Sequence, residues 1–184
     1  MRGITVIGLT CLAGLAHASG QEAAVGLAGW KADLERTTDG VWITSNADYA
    51  DEDGGIEEYG MSFTIQPGGV SATGCLWGER NGEVEGVFWR FFQGWDPVRG
   101  AGLVYQAHPT GIIGIGHVED RGDGEPELVQ DFVGPDGTAF RTGHFERWDG
   151  PDRRVSRSVD FVDGAWQPRR SYAWVRSRMH ASPC

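Results

Sequence analysis

The chain has 184 residues, 40% of them hydrophobic and 23% charged, which is enough for one packed domain and too apolar for a disordered one. Its formal net charge is −10, with Lys31 as the one lysine and no basic run beyond the pairs Arg153-Arg154 and Arg169-Arg170, so no nucleic-acid surface is expected. The 29 glycines favour many tight turns over long helices, because glycine weakens helix interiors and readily takes positive φ.

Residues 1–18 read as a targeting segment. Arg2 supplies a positive start, the run from Ile4 to Ala16 is apolar, and Ala16-His17-Ala18 places small residues before a cleavage point after Ala18. The run is shorter than the ~20 residues a spanning helix needs, and no other segment is apolar enough to cross a membrane. The expected product is therefore periplasmic or secreted. Cleavage removes Arg2 and no acid, taking the charge from −10 to −11. Export leaves Cys75 and Cys184, and an oxidising compartment permits a disulfide between them. The alternative is that Cys75 is a small buried hydrophobe.

The spacing predicts one short helix over residues 22–36, with Val25, Leu27, Trp30 and Leu34 on one face. After Asp39-Gly40 the texture changes to short aromatic and β-branched runs separated by turn dipeptides. Strands are expected at 41–46, 57–66, 70–79, 83–93, 102–106, 111–119, 127–133, 138–148, 154–162 and 165–178. Asn81-Gly82, Asp136-Gly137 and Asp163-Gly164 each read as a two-residue hairpin turn, which needs positive φ at both positions. Consecutive hairpins imply an antiparallel up-and-down β-barrel of about 8–10 strands, since closure removes exposed edges. Residues 19–178 are read as this single domain and 179–184 as a tail, loose unless the disulfide holds it.

Few motifs carry chemistry. Gly111–Gly116 lacks the order and the following helix of a dinucleotide fingerprint, and reads as a strand with close backbone packing. No G-x-S-x-G, H-E-x-x-H or paired C-x-x-C occurs, so no metal, cofactor or catalytic residue is assigned. His117/Glu119 and His144/Glu146 are i, i+2 pairs that share a strand face, as acid–base or metal chemistry would require; solvent-facing polar edges are the alternative. The acidic stretch Asp48–Glu58 does not fit a calcium loop and is expected to be solvated. Phe88–Phe92 is bulky on both faces, so Trp89 and Phe91 are candidates to line a cavity, as is Tyr105. In the last strand Tyr172, Trp174 and Arg176 share a face, with Arg170 beyond; a Tyr/Arg pair in an apolar cavity makes a carboxylate clamp. That face points inward or outward according to register, which a one-residue slip reverses.

The stretch Phe91–Glu119 resembles the middle of a bacterial exported family of unknown function grouped with lipocalin-like, calycin-type barrels. Leu27-Ala28-Gly29-Trp30, the Asp96-Pro97 turn and the closing strand Tyr172–Arg176 fit the same order. Gly29 and Trp30 are adjacent here, where the lipocalin entry pattern has one residue between them. The resemblance implies a calycin-like barrel, distantly similar to fatty-acid-binding proteins and nitrobindins. It implies a carboxylate site to which Tyr172 and Arg176 correspond. His180 lies in the tail, so haem is not carried over.

The reading that follows is a non-catalytic barrel that binds a small apolar or amphipathic ligand, with or without a carboxylate. The residues expected at the ligand are Trp89, Phe91, Tyr105, His117, Arg141, His144, Tyr172, Trp174 and Arg176. A barrel with a filled core and an outward interaction patch, and an enzyme using His/Glu chemistry, stand as alternatives. Oligomeric state is not legible in the sequence.

Overall fold

The computed structural model describes residues 26–184 except Asp120 and Asp123; the expected targeting segment and its cleavage point near Ala18 lie outside the described residues. The chain opens with α1 (Gly26–Thr38) and continues through β1 (Val41–Ser45), β2 (Glu58–Ile65), β3 (Ser71–Arg80), β4 (Glu83–Asp96) and β5 (Ala101–Ala107). It ends with β6 (Ile113–Val118), β7 (Leu128–Val133), β8 (Ala139–Trp148), β9 (Arg153–Val162) and β10 (Ala165–Ser177). Sequential antiparallel pairing runs from β1 to β10, and β1 then pairs with β10 from Val41↔Ser177 to Ile43↔Val175, closing the ten strands into a barrel. Closure leaves no open sheet edge.

Turn chemistry set most boundaries. Asn81 (φ 52°) with Gly82 (φ 76°), and Asp163 (φ 52°) with Gly164 (φ 82°), have both central residues at positive φ, as expected. Asp136-Gly137 does not: only Gly137 is at positive φ, and a longer turn forms in which Gly134 N–H bonds Thr138 O at 2.8 Å and Gly137 N–H bonds Gly134 O at 3.0 Å. Asp136 instead takes the N–H of Thr138 at 2.9 Å, an Asx-type turn.

The helix covers one end of the barrel. Trp30 and Leu34 are its buried positions, one turn apart. The Trp30 indole donates to Val70 O at 3.0 Å and lies over Gly102, where a Cβ would fall 2.2 Å from the ring. Trp42 in β1 donates to Thr37 O at 2.8 Å and fixes the helix end to the first strand.

The opposite end is closed by residues 46–57; Asp48, Asp51, Glu52 and Glu57 are exposed, as expected of a solvated acidic loop, and Asp53 is the exception. Asp53 turns in under the barrel, where Arg170 grips it through both terminal nitrogens at 2.6 and 2.7 Å. Tyr59 Oη and Asn46 Nδ2 also donate to Asp53, at 2.8 and 3.0 Å, and Ile56 is buried. Burial opposes ionisation of Asp53, but the hydrogen bonds from Arg170, Tyr59 and Asn46 outweigh it and hold the carboxyl below the usual range.

Cys75 and Cys184 form a disulfide with Cα atoms 5.9 Å apart. Cys75 sits on the outer face of β3, so the bridge fastens the C-terminal tail across the outside of β2 and β3. Ser62 and Ser182 hydroxyls meet there at 2.6 Å. A second, smaller apolar cluster of Val41, Cys75 and Trp77 is buried on this outer face.

A candidate ligand cavity in the barrel

Cross-strand register decides which side chains enter the lumen. The partners Trp42↔Met61, Met61↔Leu76 and Leu76↔Trp89 mark the inward row through β1 to β4. From that row, alternation sends Phe63, Phe91, Gln93, Val104 and Gln106 inward. The pairing of β3 with β4 slips between Leu76 and Trp77, and this bulge turns the consecutive rings Phe88 and Trp89 both toward the interior. Gly114 and Gly116 on β6 leave room for Phe132 and Gln130, whose atoms would lie 2.2 and 2.6 Å from an added Cβ. The closely spaced glycines of β6 are thus a packing feature, as expected.

The lumen is not filled. A cavity of about 980 Å³ lies between α1 and the strands, large for a small-molecule site on a scale of roughly 300–1,000 Å³. One wall is apolar: Met61, Phe63, Leu76, Trp89, Phe91 and Val104. The facing wall, from β8 and β9, is polar: His144, Glu146, Arg154, Ser156 and Ser158. Trp174 and Tyr172 of β10 join the two, and the helix contributes Trp30, Asp33 and Arg36.

Arg154 is the charged centre. Its side chain is 3% exposed, and its guanidinium lies 4.8, 5.8 and 5.9 Å from the ring centroids of Trp42, Trp148 and Trp174. Its closest acid is Glu146 at 3.2 Å, and that carboxylate is 41% exposed. The remaining contact is a long one to the Met61 sulfur at 3.8 Å, and the buried Nε has no hydrogen-bond partner among the described residues. Five N–H groups on a buried fork are thus poorly satisfied. Trp148 is shared, with the Arg36 guanidinium 3.7 Å from its ring centroid.

Two other groups in the cavity are perturbed. Burial, then the neighbouring Glu146, hold the Asp33 carboxyl above its ordinary range, against Arg36 and Arg154. Burial pushes the His144 imidazole below its ordinary value, so it is neutral near pH 7. Its Nε2 lies 3.4 Å from Thr142 Oγ1.

Of the residues expected at a ligand, Trp89, Phe91, His144, Tyr172 and Trp174 line this cavity. Tyr105, His117 and Arg141 do not: they sit on the outer face. Tyr105 stands between Phe92 and Ile115, both exposed. His117 lies 3.3 Å from Asp96, and Arg141 makes a two-pronged bond to Asp131 at 2.7 and 3.0 Å. His117 and His144 therefore occupy opposite faces of the wall and form no common centre. Arg176 has the inward register but sits at the rim, where it ties the helix end to the β8–β9 turn. It donates to Arg36 O at 3.0 Å and Pro151 O at 2.9 Å, pairs with Asp152 at 3.0 Å, and bonds Asp39 O. Arg170, the nearer arginine to Tyr172, is engaged by Asp53. Of Arg36, Arg147 and Arg154, which line the cavity, the arginine of the polar wall with a buried side chain is Arg154, which the sequence reading passed over. No protein-family model matches the chain, and no curated protein matches it in sequence.

Proposed function

We propose that this protein binds a small amphipathic molecule inside its barrel, with an anionic head group on Arg154 and an apolar body along Met61, Phe63, Leu76, Trp89 and Phe91. The single observation that carries this reading is the buried, under-bonded guanidinium of Arg154 at the polar wall of an unfilled cavity. A buried charge is costly unless well paired, and a carboxylate or similar anion would complete the fork that Glu146 engages through one nitrogen only, at 3.2 and 3.4 Å. Glu146 is exposed enough to release Arg154 and be hydrated outside. A closed barrel with a ligand-sized lumen fits the same reading. Arg154 takes the place in this reading that the sequence assigned to Arg176, and Tyr172 and Trp174 keep theirs.

Dodecanoate, dodecanol and dodecylammonium share one chain and differ only in the head group. Trp30, Trp89 and Trp174 line the cavity, so a titration followed by tryptophan fluorescence reads occupancy directly. Dodecanoate is expected to bind at least tenfold tighter than dodecanol. Absence of saturable binding by all three, or tighter binding of dodecylammonium, refutes the proposal.

A further inference from the structure

A separate cluster lies on the outside of the barrel, across the wall from the cavity. Glu58 of β2 and Glu79 of β3 are direct cross-strand partners. Like charges directly opposite each other destabilise a sheet unless something compensates them. The C-terminal tail brings His180 to the same place, with its Nε2 3.8 Å from a Glu58 carboxylate oxygen. One ligand atom from each of Glu58, Glu79 and His180 lies within 4.8 Å of the others. Ligands about 2.0–2.2 Å from a tetrahedral zinc ion stand roughly 3.4 Å apart, so a small contraction would close the set around a metal.

The side chains behind these three are arranged to aim them. Ser177 Oγ lies 2.8 Å from His180 Nδ1, which leaves Nε2 as the nitrogen turned to the carboxylates. The same hydroxyl accepts the N–H groups of Met179 and His180, both at 3.3 Å, and so fixes the turn that presents the imidazole. Glu79 is buried, at 9% exposure, and one of its oxygens accepts the Trp77 indole N–H at 2.8 Å. Metal-binding histidines and carboxylates are characteristically held by outer partners of this kind. The disulfide to Cys75 and the Ser62–Ser182 contact keep the tail in reach.

We propose that Glu58, Glu79 and His180 form a binding site for a divalent transition-metal ion of the zinc type, which fastens the C-terminal tail to β2 and β3. One imidazole and two carboxylates supply three ligands, and water takes the remaining position. The site shares no residue with the cavity, so it stands or fails independently of the proposed ligand.

Isothermal titration of zinc(II) into the metal-free, disulfide-bonded full chain tests this. One equivalent is expected to bind with a rise in melting temperature, and His180→Ala and Glu79→Gln are each expected to weaken binding at least tenfold. His180→Ala alters an exposed tail residue and leaves the barrel and disulfide intact, which far-UV circular dichroism checks. If Glu79→Gln disturbs Trp77 and unfolds, Glu58→Gln is the second reading of the same site. No saturable binding near one equivalent, or unchanged binding in His180→Ala, overturns the proposal.

Discussion

Replacing Arg154 by methionine separates a ligand-binding charge from a structural one. The pair with Glu146 is worth about 1 kcal/mol or less, because Glu146 is 41% exposed and solvent screens it. The cation–π contacts with Trp42, Trp148 and Trp174 add roughly 1–2 kcal/mol. Against these stand the buried Nε without a partner, at about 1–3 kcal/mol, and the desolvation of the charge itself. Methionine keeps an unbranched side chain against the same rings and Met61. Stability of Arg154→Met is therefore expected to be unchanged or higher by up to about 2 kcal/mol, a rise in melting temperature of at most roughly 8 °C for a domain of this size. Dodecanoate affinity should fall by about 2–5 kcal/mol, or roughly 30- to 4,000-fold, while dodecanol affinity should hold. Urea unfolding and the fluorescence titration read the two quantities in one preparation. A variant that is destabilised by more than about 2 kcal/mol, yet still prefers dodecanoate to dodecanol as the parent does, would refute the reasoning.

Two further predictions concern the scaffold. The unfolded chain protonates His144 near its ordinary value of about 6.5 while the folded chain resists, so stability is full above that pH and falls as pH drops from there towards the folded value. Asp53 acts lower: its folded pKa is depressed, so its contribution is present above the ordinary carboxylate range and is lost as pH falls through the folded value. Urea unfolding across pH should lose the first step in His144→Gln and the second in Asp53→Asn; retention of both steps in these variants contradicts the assignments. Gly60→Ala places a Cβ 2.2 Å from the Trp77 ring, which is fully buried, and should cost about 1–3 kcal/mol or more. Gly86→Ala, with open space around it, is the control and should change little by the same measurement.

The strands were legible because turn residues mark their ends. Asn81-Gly82 and Asp163-Gly164 carry positive φ at both positions, and each hairpin hands the chain to its neighbour until β10 meets β1. Register was less legible, because the barrel does not obey a simple rule of apolar in and polar out. In β9 the inward row is Arg154, Ser156 and Ser158, while Val159 is buried on the outer face. In β3 the tail is bonded to Cys75 from outside and Trp77 clusters there with Val41 and Cys75, so an outward row is as buried as a core. In β4 a bulge sends adjacent rings inward, which period-two counting cannot find. Asp53 was misread for the opposite reason: an acidic run predicts solvent, and only the long-range meeting with Arg170 draws one of its members under the barrel.

The two arginines of β10 with inward register, Arg170 and Arg176, explain why Arg154 is the one left for a ligand. Arg176 lies near one end of the strand and Arg170 at its middle, facing the other end of the barrel, and each is consumed in closing its end. Arg170 takes Asp53 with short, paired hydrogen bonds, and Arg176 takes three backbone carbonyls and Asp152. Arg154 is as well buried as Arg176, and the acids beside both are open to water, but among the described residues no backbone carbonyl accepts from Arg154. A ligand without an anion leaves that weak pair as it is and gains only apolar contact. A ligand with one displaces Glu146 into solvent, where its hydration is restored, and gives the buried fork a partner that cannot itself hydrate. Discrimination then comes from the difference between these two exchanges, so the poor satisfaction of Arg154 in the free protein is the source of selectivity for an anionic head group.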